Sequence, residues 1–347
     1  MSPTASECGH LDVTKASSGL SRLIIIVVNY RTPHLVIDCL ESLVDEIEPG
    51  MKVMVSENGS GDDSAKVINA AIEANKWGGW ASVKLIEPNA GFSVGNNFII
   101  RSELALAEPP LYFMLLNPDT VVRPGAIRAL MDFMDHRPDV GIAGGQLEDP
   151  SGEIQVSSHR FPNPVGQLAE GARLSLIDKV LWRCVDRQPS KDAPEESDWV
   201  SGAAMIIRRP VFESVGLLDE AYFLYFDEVD FCWRARRAGW RVFFVPASRI
   251  VHLEGVATGI KSRARRKGWW YESRRRFLVK SYGICGWLLG DALWAIGRVS
   301  LLVRRVCGLG GSVESDPRWF AYDLVWGDVR ALINGSAFRI RGSEKIQ

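Results

Sequence analysis

The sequence has no surplus of charge of either sign. Lysine and arginine total 41 and aspartate and glutamate total 42, which gives a net charge of −1 over 347 residues. A balanced surface does not attract a polyanion as a whole, so the composition argues against a generally nucleic-acid-binding protein. Hydrophobic residues at 46% and charged residues at 24% are typical of a globular protein and exclude collagen and coiled coil.

Clustered cysteines and long apolar runs at the start of the chain are also missing. The six cysteines are widely scattered, so the sequence has no C-x-x-C metal or redox motif. In a chain this long, that spacing favours free thiols in a reducing cytosol over a disulfide framework. Residues 1–22 lack the apolar stretch of a signal peptide and are predicted to be a disordered tail.

What the sequence does contain is an alternation of apolar strands and amphipathic helices from residue 23 to about 147. Strands are predicted at Leu23–Val28, Met51–Ser56, Val83–Ile86, Leu111–Leu116 and Ile142–Leu147. This order predicts a doubly wound, mainly parallel α/β sheet, which binds ligands at the carboxyl ends of its strands. Residues 148–198 are less regular and are interpreted as an insertion or lid. Order returns with strands at Ala203–Ile207 and Val242–Val245 and a helix at Asp227–Ala238.

Polar clusters follow four of the predicted strands. They contain Asn29 and Tyr30, Glu57 and Asn58, Asn89 with Gly91, Asn96 and Asn97, and Asn117 with Asp119. Any one of them alone is explained by turn formation, because Asn, Asp and Gly are common turn residues. Four clusters at one edge of a sheet favour a ligand site. Asp119, at the rim of a buried strand, suits a divalent cation that bridges a diphosphate, since the sequence has no Walker-type phosphate loop.

Three carboxylates, Asp227, Glu228 and Asp230, open a predicted helix. The helix dipole favours acidic residues there whatever their function. Aromatic residues on both sides would exclude water and raise the pKa of a carboxylate toward that of a general base. His252 follows a short apolar segment and is a candidate metal ligand, although an isolated histidine is more often structural.

Together these motifs resemble the family 2 glycosyltransferases of the GT-A fold, in particular their rhamnosyltransferase branch. The resemblance runs from about Leu23 to Tyr282 through seven ordered segments, 26–30, 57–60, 89–97, 115–119, 201–205, 226–234 and 252–255. It implies transfer of a sugar from a nucleotide diphosphate donor, with inversion, in cell-surface polysaccharide synthesis. The donor it suggests is dTDP-L-rhamnose, with a UDP- or GDP-sugar as the alternative. A sugar-nucleotide pyrophosphorylase would need a Gly-rich basic loop after the first strand, which residues 29–33 do not provide.

The resemblance also implies roles for individual residues. Asp119 matches the metal-binding aspartate of the family's D-x-D motif, and His252 matches a late histidine that completes a Mg²⁺ or Mn²⁺ site. The donor-binding set is then Asn29, Tyr30, Glu57, Asn58, Asn89, Gly91, Asn96, Asn97 and Asn117. Glu228 falls at the position of the catalytic base with Asp227 as the alternative, and the acceptor side takes Asp230, Trp199 and Gly202. Glu57 stands where the family usually has Asp, and Asp227-Glu228 where it often has Glu-Asp. This exchange keeps an inactive scaffold as a further alternative.

The C-terminal region differs in charge from the rest of the chain. Nine basic residues lie between Lys261 and Lys280 around Trp269 and Trp270, and residues 281–306 are largely apolar. Such a segment is typical of a protein surface that binds a membrane peripherally, and we expect residues 261–306 to contact the cytoplasmic face. This location suits a glycan or polyprenyl-linked acceptor. The alternative is a helix packed on the catalytic domain. The predicted organisation is a tail (1–22), a GT-A catalytic domain (23–260) and a helical C-terminal region (261–347).

Overall fold

The computed structural model describes residues 21–181, 184–185, 193–253, 255, 265–309 and 316–339, so the predicted tail lies almost wholly outside it. The strands are β1 (Leu23–Asn29), β2 (Met51–Asn58), β3 (Ala81–Ile86), β4 (Tyr112–Leu116), β5 (Thr120–Val122), β6 (Val140–Glu148), β7 (Ser158–His159), β8 (Glu195–Glu196), β9 (Trp199–Val200), β10 (Ala204–Arg208) and β11 (Arg241–His252). The helices are α1 (Pro33–Leu43), α2 (Ser64–Ala74), α3 (Phe92–Leu104), α4 (Ala126–His136), α5 (Gly166–Ala172), α6 (Ser175–Val180), α7 (Arg209–Val215), α8 (Asp227–Arg237), α9 (Gly268–Val306), α10 (Phe320–Ile333) and α11 (Ser336–Arg339).

A mixed sheet with the strand order β3-β2-β1-β4-β10-β6-β11-β5 forms the centre of the molecule. β1 to β4 run parallel, and so do β6 and β11, whereas β10 lies antiparallel between β4 and β6. The predicted mainly parallel α/β class is therefore confirmed. The short strand β5, which was not predicted, pairs antiparallel with the end of β11.

Both faces of the sheet are buried, which explains why β1 is an uninterrupted apolar run. Leu23, Ile25 and Val27 contribute to a core cluster that also contains residues of α1, α2 and α4. Ile24 and Ile26 contribute to the opposite cluster, with residues of α3, α7, α8 and α9. Cysteines 39 and 232 are buried as free thiols, as the sequence predicts.

The C-terminal helix α9 belongs to the same core as the catalytic part. Phe277, Leu278 and Trp287 are buried in one cluster with residues of α3 and α8. Two residues of the predicted basic membrane surface are also buried, because Arg274 pairs with Asp291 and Arg275 pairs with Asp328. Arg274 and Arg275 are thus turned inward and do not belong to an exposed basic surface, whereas Arg265 and Lys267 are exposed. Residues 261–264 lie outside the described residues.

A sharp bend at Gly283, where φ is +73°, divides α9 into two segments, 268–282 and 284–306. Arg274 Nη1 lies 2.8 Å from Asp291 Oδ1, although 17 residues of straight helix would separate them by about 25 Å. The two segments therefore pack side by side. Among the described residues, α9 is by length and composition the one helix able to cross a membrane, but it does not run straight.

The region interpreted as an insertion or lid contributes a packed helix, α5. α5 lies against the second segment of α9 so closely that a Cβ at Gly171 would collide with the carbonyl of Trp294. A Cβ at Gly297 would likewise collide with the backbone of α5 at Leu168. Glycines on both helices thus allow their backbones to touch, and α5 is a fixed support for α9. Residues 182–183 and 186–192 are outside the described part.

Candidate active site

The ends of β1 and β2 are joined through Glu57. The sheet register sets Asn29 beside Glu57, and the Asn29 amide donates a hydrogen bond to the carboxylate. The other carboxylate oxygen accepts from the backbone N–H of Ser60 at 2.9 Å. Arg31, in the left-handed region, donates to Ser60 from its backbone and from its guanidinium. Glu57 is buried, and its hydrogen bonds connect the loops that follow β1 and β2 on the predicted donor side.

The loops after β2 and β3 are locked to each other. Asn58 Nδ2 donates to the carbonyl of Gly91 at 2.9 Å and to Asn89 Oδ1 at 3.2 Å. A Cβ at Gly59 would collide with the backbone of Asn89, so this approach requires glycine. Three of the predicted donor-binding residues, Asn58, Asn89 and Gly91, therefore form one hydrogen-bonded unit.

Gly91 connects this donor side to the acidic helix. Its φ is +94°, and a Cβ there would collide with the carbonyl of Phe223. The same carbonyl accepts a hydrogen bond from the backbone N–H of Phe92 at 2.9 Å. The loop after β3 thus packs directly on the segment that leads into α8. The polar cluster after β3 and the carboxylates of α8 therefore lie side by side.

Asp119 and His252 meet at the end of the sheet, although 132 residues separate them in sequence. β5 pairs with β11 so that Thr120 lies opposite His252, and this register puts His252 Nε2 3.4 Å from Asp119 Oδ1. The amide of Asn117 lies 3.4 Å from the same imidazole nitrogen. Both predicted metal ligands are buried, and Asp119 is only 3% exposed.

This donor set fits a divalent cation with open coordination positions. A carboxylate and an imidazole are ligands that Mn²⁺ and Mg²⁺ accept together with phosphate oxygens and water. Within the described ranges no group of three His, Cys, Asp or Glu side chains is close enough to hold a metal alone. The remaining positions would therefore be filled by a diphosphate and water.

The acidic helix α8 follows two residues in a strained conformation. Tyr225 and Phe226 have φ of +65° and +66°, which is uncommon for aromatic residues and persists only where packing enforces it. Trp269 packs on Tyr225 with ring centroids 5.6 Å apart, and Trp270 packs on Phe226 at 5.9 Å. The two tryptophans predicted to face a membrane therefore hold the loop in front of Asp227.

The two adjacent carboxylates of α8 lie in different environments. Asp227 is buried and accepts a hydrogen bond from Ser93 Oγ at 3.1 Å, and burial raises its pKa. Burial and the neighbouring Asp227 charge raise the pKa of Glu228 well above its usual value. Glu228 is only half-buried, and the absent side chain of Gly202 leaves space beside it. Of the two residues, Glu228 is the more exposed.

Asp230, assigned to the acceptor side by the resemblance, is buried among three partners of the fold. Its carboxylate accepts a hydrogen bond from Arg234 Nε at 2.8 Å and lies 2.6 Å from Lys280 Nζ. The hydroxyl of Tyr222 donates a third hydrogen bond to it. These contacts of the buried carboxylate link α8 to α9, which favours a structural role for Asp230 over an acceptor-orienting one.

Three other predicted site residues contact neighbouring parts of the fold. Asn97 donates to the carbonyl of Leu218 at 2.9 Å and accepts from its N–H, and Asn96 donates to Phe92 within its own helix. Trp199 stacks on His159 with ring centroids 4.1 Å apart. Tyr30 differs from these three, since it is 40% exposed at the edge of the sheet.

Sequence reasoning did not single out Ser60 and Ser93. Both lie inside quoted motifs, and each bonds a carboxylate of the site, Glu57 and Asp227 respectively. Serine in a loop or at a helix start is too common to identify a function, so only the structure reveals these contacts.

The chain is similar to known proteins over most of its length. The chain is 28% identical over 290 residues to the N-acetylglucosaminyl-diphospho-decaprenol L-rhamnosyltransferase of Mycobacterium tuberculosis, covering 81% of this chain and 90% of that one. It is 24% identical to the dTDP-rhamnosyl transferase RfbF of Shigella flexneri, over 55% of this chain and 60% of that one.

Two solved structures share the fold. GalNAc-T7 with UDP, GalNAc and Mn²⁺ has a TM-score of 0.55 at 13% identity, over 94% of this chain and 58% of that one. The mannosyltransferase PcManGT of Pyrobaculum calidifontis, with GDP-Man and Mn²⁺, has a TM-score of 0.53 at 14% identity, over 90% and 81%. Both are GT-A glycosyltransferases, which confirms the predicted fold. A family model described as "Glycosyltransferase like family 2" matches residues 21–273, and the chain belongs to this family of glycosyltransferases.

Proposed function

We propose that this protein is an inverting, metal-dependent glycosyltransferase that transfers a sugar from a nucleotide diphosphate to a lipid-linked glycan in cell-surface polysaccharide synthesis. The observation that carries the proposal is the pairing of two acidic sites at one edge of the sheet. Asp119 and His252 form one, and Asp227 with Glu228 forms the other. The two sites are joined through the segment before β10, where the carbonyl of Ala203 accepts from the backbone N–H of Asn117 at 3.0 Å and Gly202 lies against Glu228.

Inverting transfer is one in-line displacement and needs a base on one face of the sugar. Glu228 takes the proton of the acceptor hydroxyl while the hydroxyl oxygen forms a bond to the anomeric carbon. At the same time the bond from that carbon to the diphosphate breaks. The raised pKa of Glu228 makes it a stronger base than an exposed carboxylate. Asp119 and His252 would hold a divalent cation, which supplies positive charge to the departing diphosphate.

The names of two relatives support the choice of substrates. The relative from S. flexneri is a dTDP-rhamnosyl transferase, and the one from M. tuberculosis carries a decaprenol diphosphate acceptor in its name. We propose dTDP-L-rhamnose as donor and a polyprenyl-diphosphate-linked sugar as acceptor.

An exposed apolar face of α9 supports contact with the membrane that would carry such an acceptor. Leu289, Ile296, Val299, Val303 and Val306 recur at helical spacing along the second segment and are all more than half exposed. The opposite face is buried against α5 and the core. An exposed apolar stripe of this length is typical of an interfacial membrane helix. This stripe takes the place of the basic run as the proposed membrane contact.

A liposome flotation assay tests the membrane contact. The double variant Ile296→Asp/Val303→Asp is expected to stay with the unbound fraction, while the wild type floats. Leu85→Asp is the matched control, because Leu85 is an equally exposed apolar residue on β3. Flotation unchanged in the double variant would contradict a membrane role for this stripe.

A donor panel tests the proposed activity. The purified protein is incubated with dTDP-L-rhamnose, UDP-sugars and GDP-sugars with Mn²⁺ or Mg²⁺, and thermal shift and nucleotide diphosphate release are measured. We expect stabilisation and release with dTDP-L-rhamnose. Stabilisation by a UDP- or GDP-sugar alone would overturn the donor assignment, and no response to any donor would overturn the enzymatic proposal.

A further inference from the structure

A cavity lies between the start of α9 and α10, away from the candidate active site. Its volume is about 630 Å³. Five basic side chains line it against two acidic ones, and the basic ones are Arg265, Arg266, Lys267, Arg275 and Arg330. The lining therefore carries an excess of positive charge in a chain whose total is −1. Nothing in the proposed chemistry at Glu228 and Asp119 uses this cavity.

Three of these cations have no ion-pair partner among the described residues. Arg265 pairs with Asp323, and Arg275 pairs with Asp328. Within the part of the chain that the structure describes, Arg266, Lys267 and Arg330 form no ion pair. Their charge is available to an anion that enters the cavity.

A buried hydroxyl faces the same space. Tyr271 lines the cavity and is only 4% exposed, and among the described residues its hydroxyl has no hydrogen-bond partner. Buried hydroxyls are nearly always hydrogen-bonded, so an acceptor oxygen is expected opposite it. Gly268, the first residue of α9, also lines the cavity, and helix N-termini attract anions. Cations, a free donor hydroxyl and a helix N-terminus together are the chemistry of a phosphate site.

The surroundings of the cavity identify the kind of phosphate compound. Trp326 and Tyr322 line it and are exposed, so an apolar chain leaving the cavity would meet aromatic surface. On the inner side, the Arg266 guanidinium stacks on Trp270 at 4.5 Å, and Trp270 packs on Phe226, two residues before Glu228. Trp270 thus links the Arg266 side of the cavity to the loop that precedes the proposed base.

We propose that this cavity binds the diphosphate of a polyprenyl-diphosphate acceptor, with the lipid leaving across α10 and the sugar directed toward Glu228. The inference rests on the proposed function, because it names the site that would hold that function's acceptor. The proposed site contacts both the anionic diphosphate and the apolar lipid. A lipid diphosphate must therefore bind more tightly than the diphosphate alone.

Binding of farnesyl diphosphate and of inorganic pyrophosphate to the full chain tests this site. Calorimetry in EDTA excludes metal-dependent binding at Asp119. We expect the farnesyl compound to bind at least about tenfold more tightly than pyrophosphate. The double variant Lys267→Glu/Arg330→Glu should lower the affinity for farnesyl diphosphate by about tenfold for each cation removed. Lys52→Glu/Lys84→Glu, the same charge change on exposed lysines of β2 and β3, should leave the affinity unchanged.

A neutral variant separates cavity occupancy from charge. A Cβ at Gly327 would meet only Arg275 Nη1, at 3.8 Å, so Gly327→Leu fills the cavity without a backbone collision. It should also abolish binding of farnesyl diphosphate while the thermal unfolding temperature is retained. Unchanged affinity in this variant and in the charge variant would overturn the site. Equal affinity for pyrophosphate and farnesyl diphosphate would overturn the lipid-linked ligand. Because donor and metal are absent, these outcomes are independent of the donor panel.

Discussion

Replacing Asp219 by Asn should destabilise the protein in a pH-dependent way. Asp219 joins the segment before α8 to α9, since its Oδ2 accepts from Arg276 Nη2 at 2.7 Å and from Lys280 Nζ at 2.9 Å. The same segment bonds to α9 again where Ser273 Oγ donates to the carbonyl of Leu224. Loss of the Asp219 charge therefore weakens the support of the loop that precedes the proposed base.

The pKa of Asp219 gives the size of the effect. Burial alone would raise it, but Lys280 and Arg276 outweigh burial and lower the pKa from 3.8 to about 2. At about 1.4 kcal/mol per pKa unit this corresponds to about 2.5 kcal/mol, and solvent screening of the partly exposed carboxylate reduces it to about 2 kcal/mol. With an unfolding entropy of about 2.1 cal/mol/K per residue, the melting temperature should fall by about 3 °C.

Thermal unfolding of wild type and Asp219→Asn at several pH values measures this difference. The folded pKa lies below the unfolded one, so the stabilisation is complete above about pH 4 and is lost as the pH falls toward 2. The difference in melting temperature should therefore be constant near neutral pH and shrink below pH 4. Asp63→Asn is the control, because its ion pair with Lys66 is equally short but exposed, and we expect no measurable change. A loss that equals the control, or that does not shrink in acid, would contradict a stabilising role of the Asp219 charge.

Two further substitutions probe the site itself. Asp227→Asn removes a charge that raises the pKa of Glu228. Because the ionised base is the active form, the acid limb of the pH profile of kcat/KM should move to lower pH. An unchanged acid limb would show that Asp227 does not affect the pKa of the base. Gly91→Ala forces a side chain into the backbone of Phe223 at a φ of +94°, so it should cost at least about 1–3 kcal/mol of stability and raise the KM for the donor. Gly61→Ala has a similar φ of +66° but open space around it, so a KM as high as that of Gly91→Ala would contradict the proposed loop contact.

The part of the site that lies at strand ends was predictable from the sequence. Buried parallel strands are uninterrupted apolar runs, so the residues that end them, such as Asn29, Glu57 and Asn117, are visible as polar interruptions. The contact between Asp119 and His252 could not be derived from pattern alone. It depends on the three-residue strand β5, which is too short for any periodicity to show.

The C-terminal helix shows the opposite limitation. Its composition suggested a basic surface, but composition does not say which way a cation points. Arg274 and Arg275 face inward because Asp291 and Asp328 approach them across the bend at Gly283 and from α10. A glycine at φ +73° within a helical pattern has no distinct sequence signal, so the fold-back and the exposed apolar stripe appear only in three dimensions.

The most direct test compares two variants in one assay of Mn²⁺-dependent dTDP-L-rhamnose binding and of dTDP release in the presence of a polyprenyl-diphosphate-linked sugar as acceptor. Glu228→Gln should bind the donor with wild-type affinity and release dTDP at least about 10²-fold more slowly, because only the base is lost. Asp119→Ala should lose the Mn²⁺-dependent part of donor binding. Wild-type dTDP release by Glu228→Gln, or undiminished Mn²⁺-dependent binding by Asp119→Ala, would contradict the account.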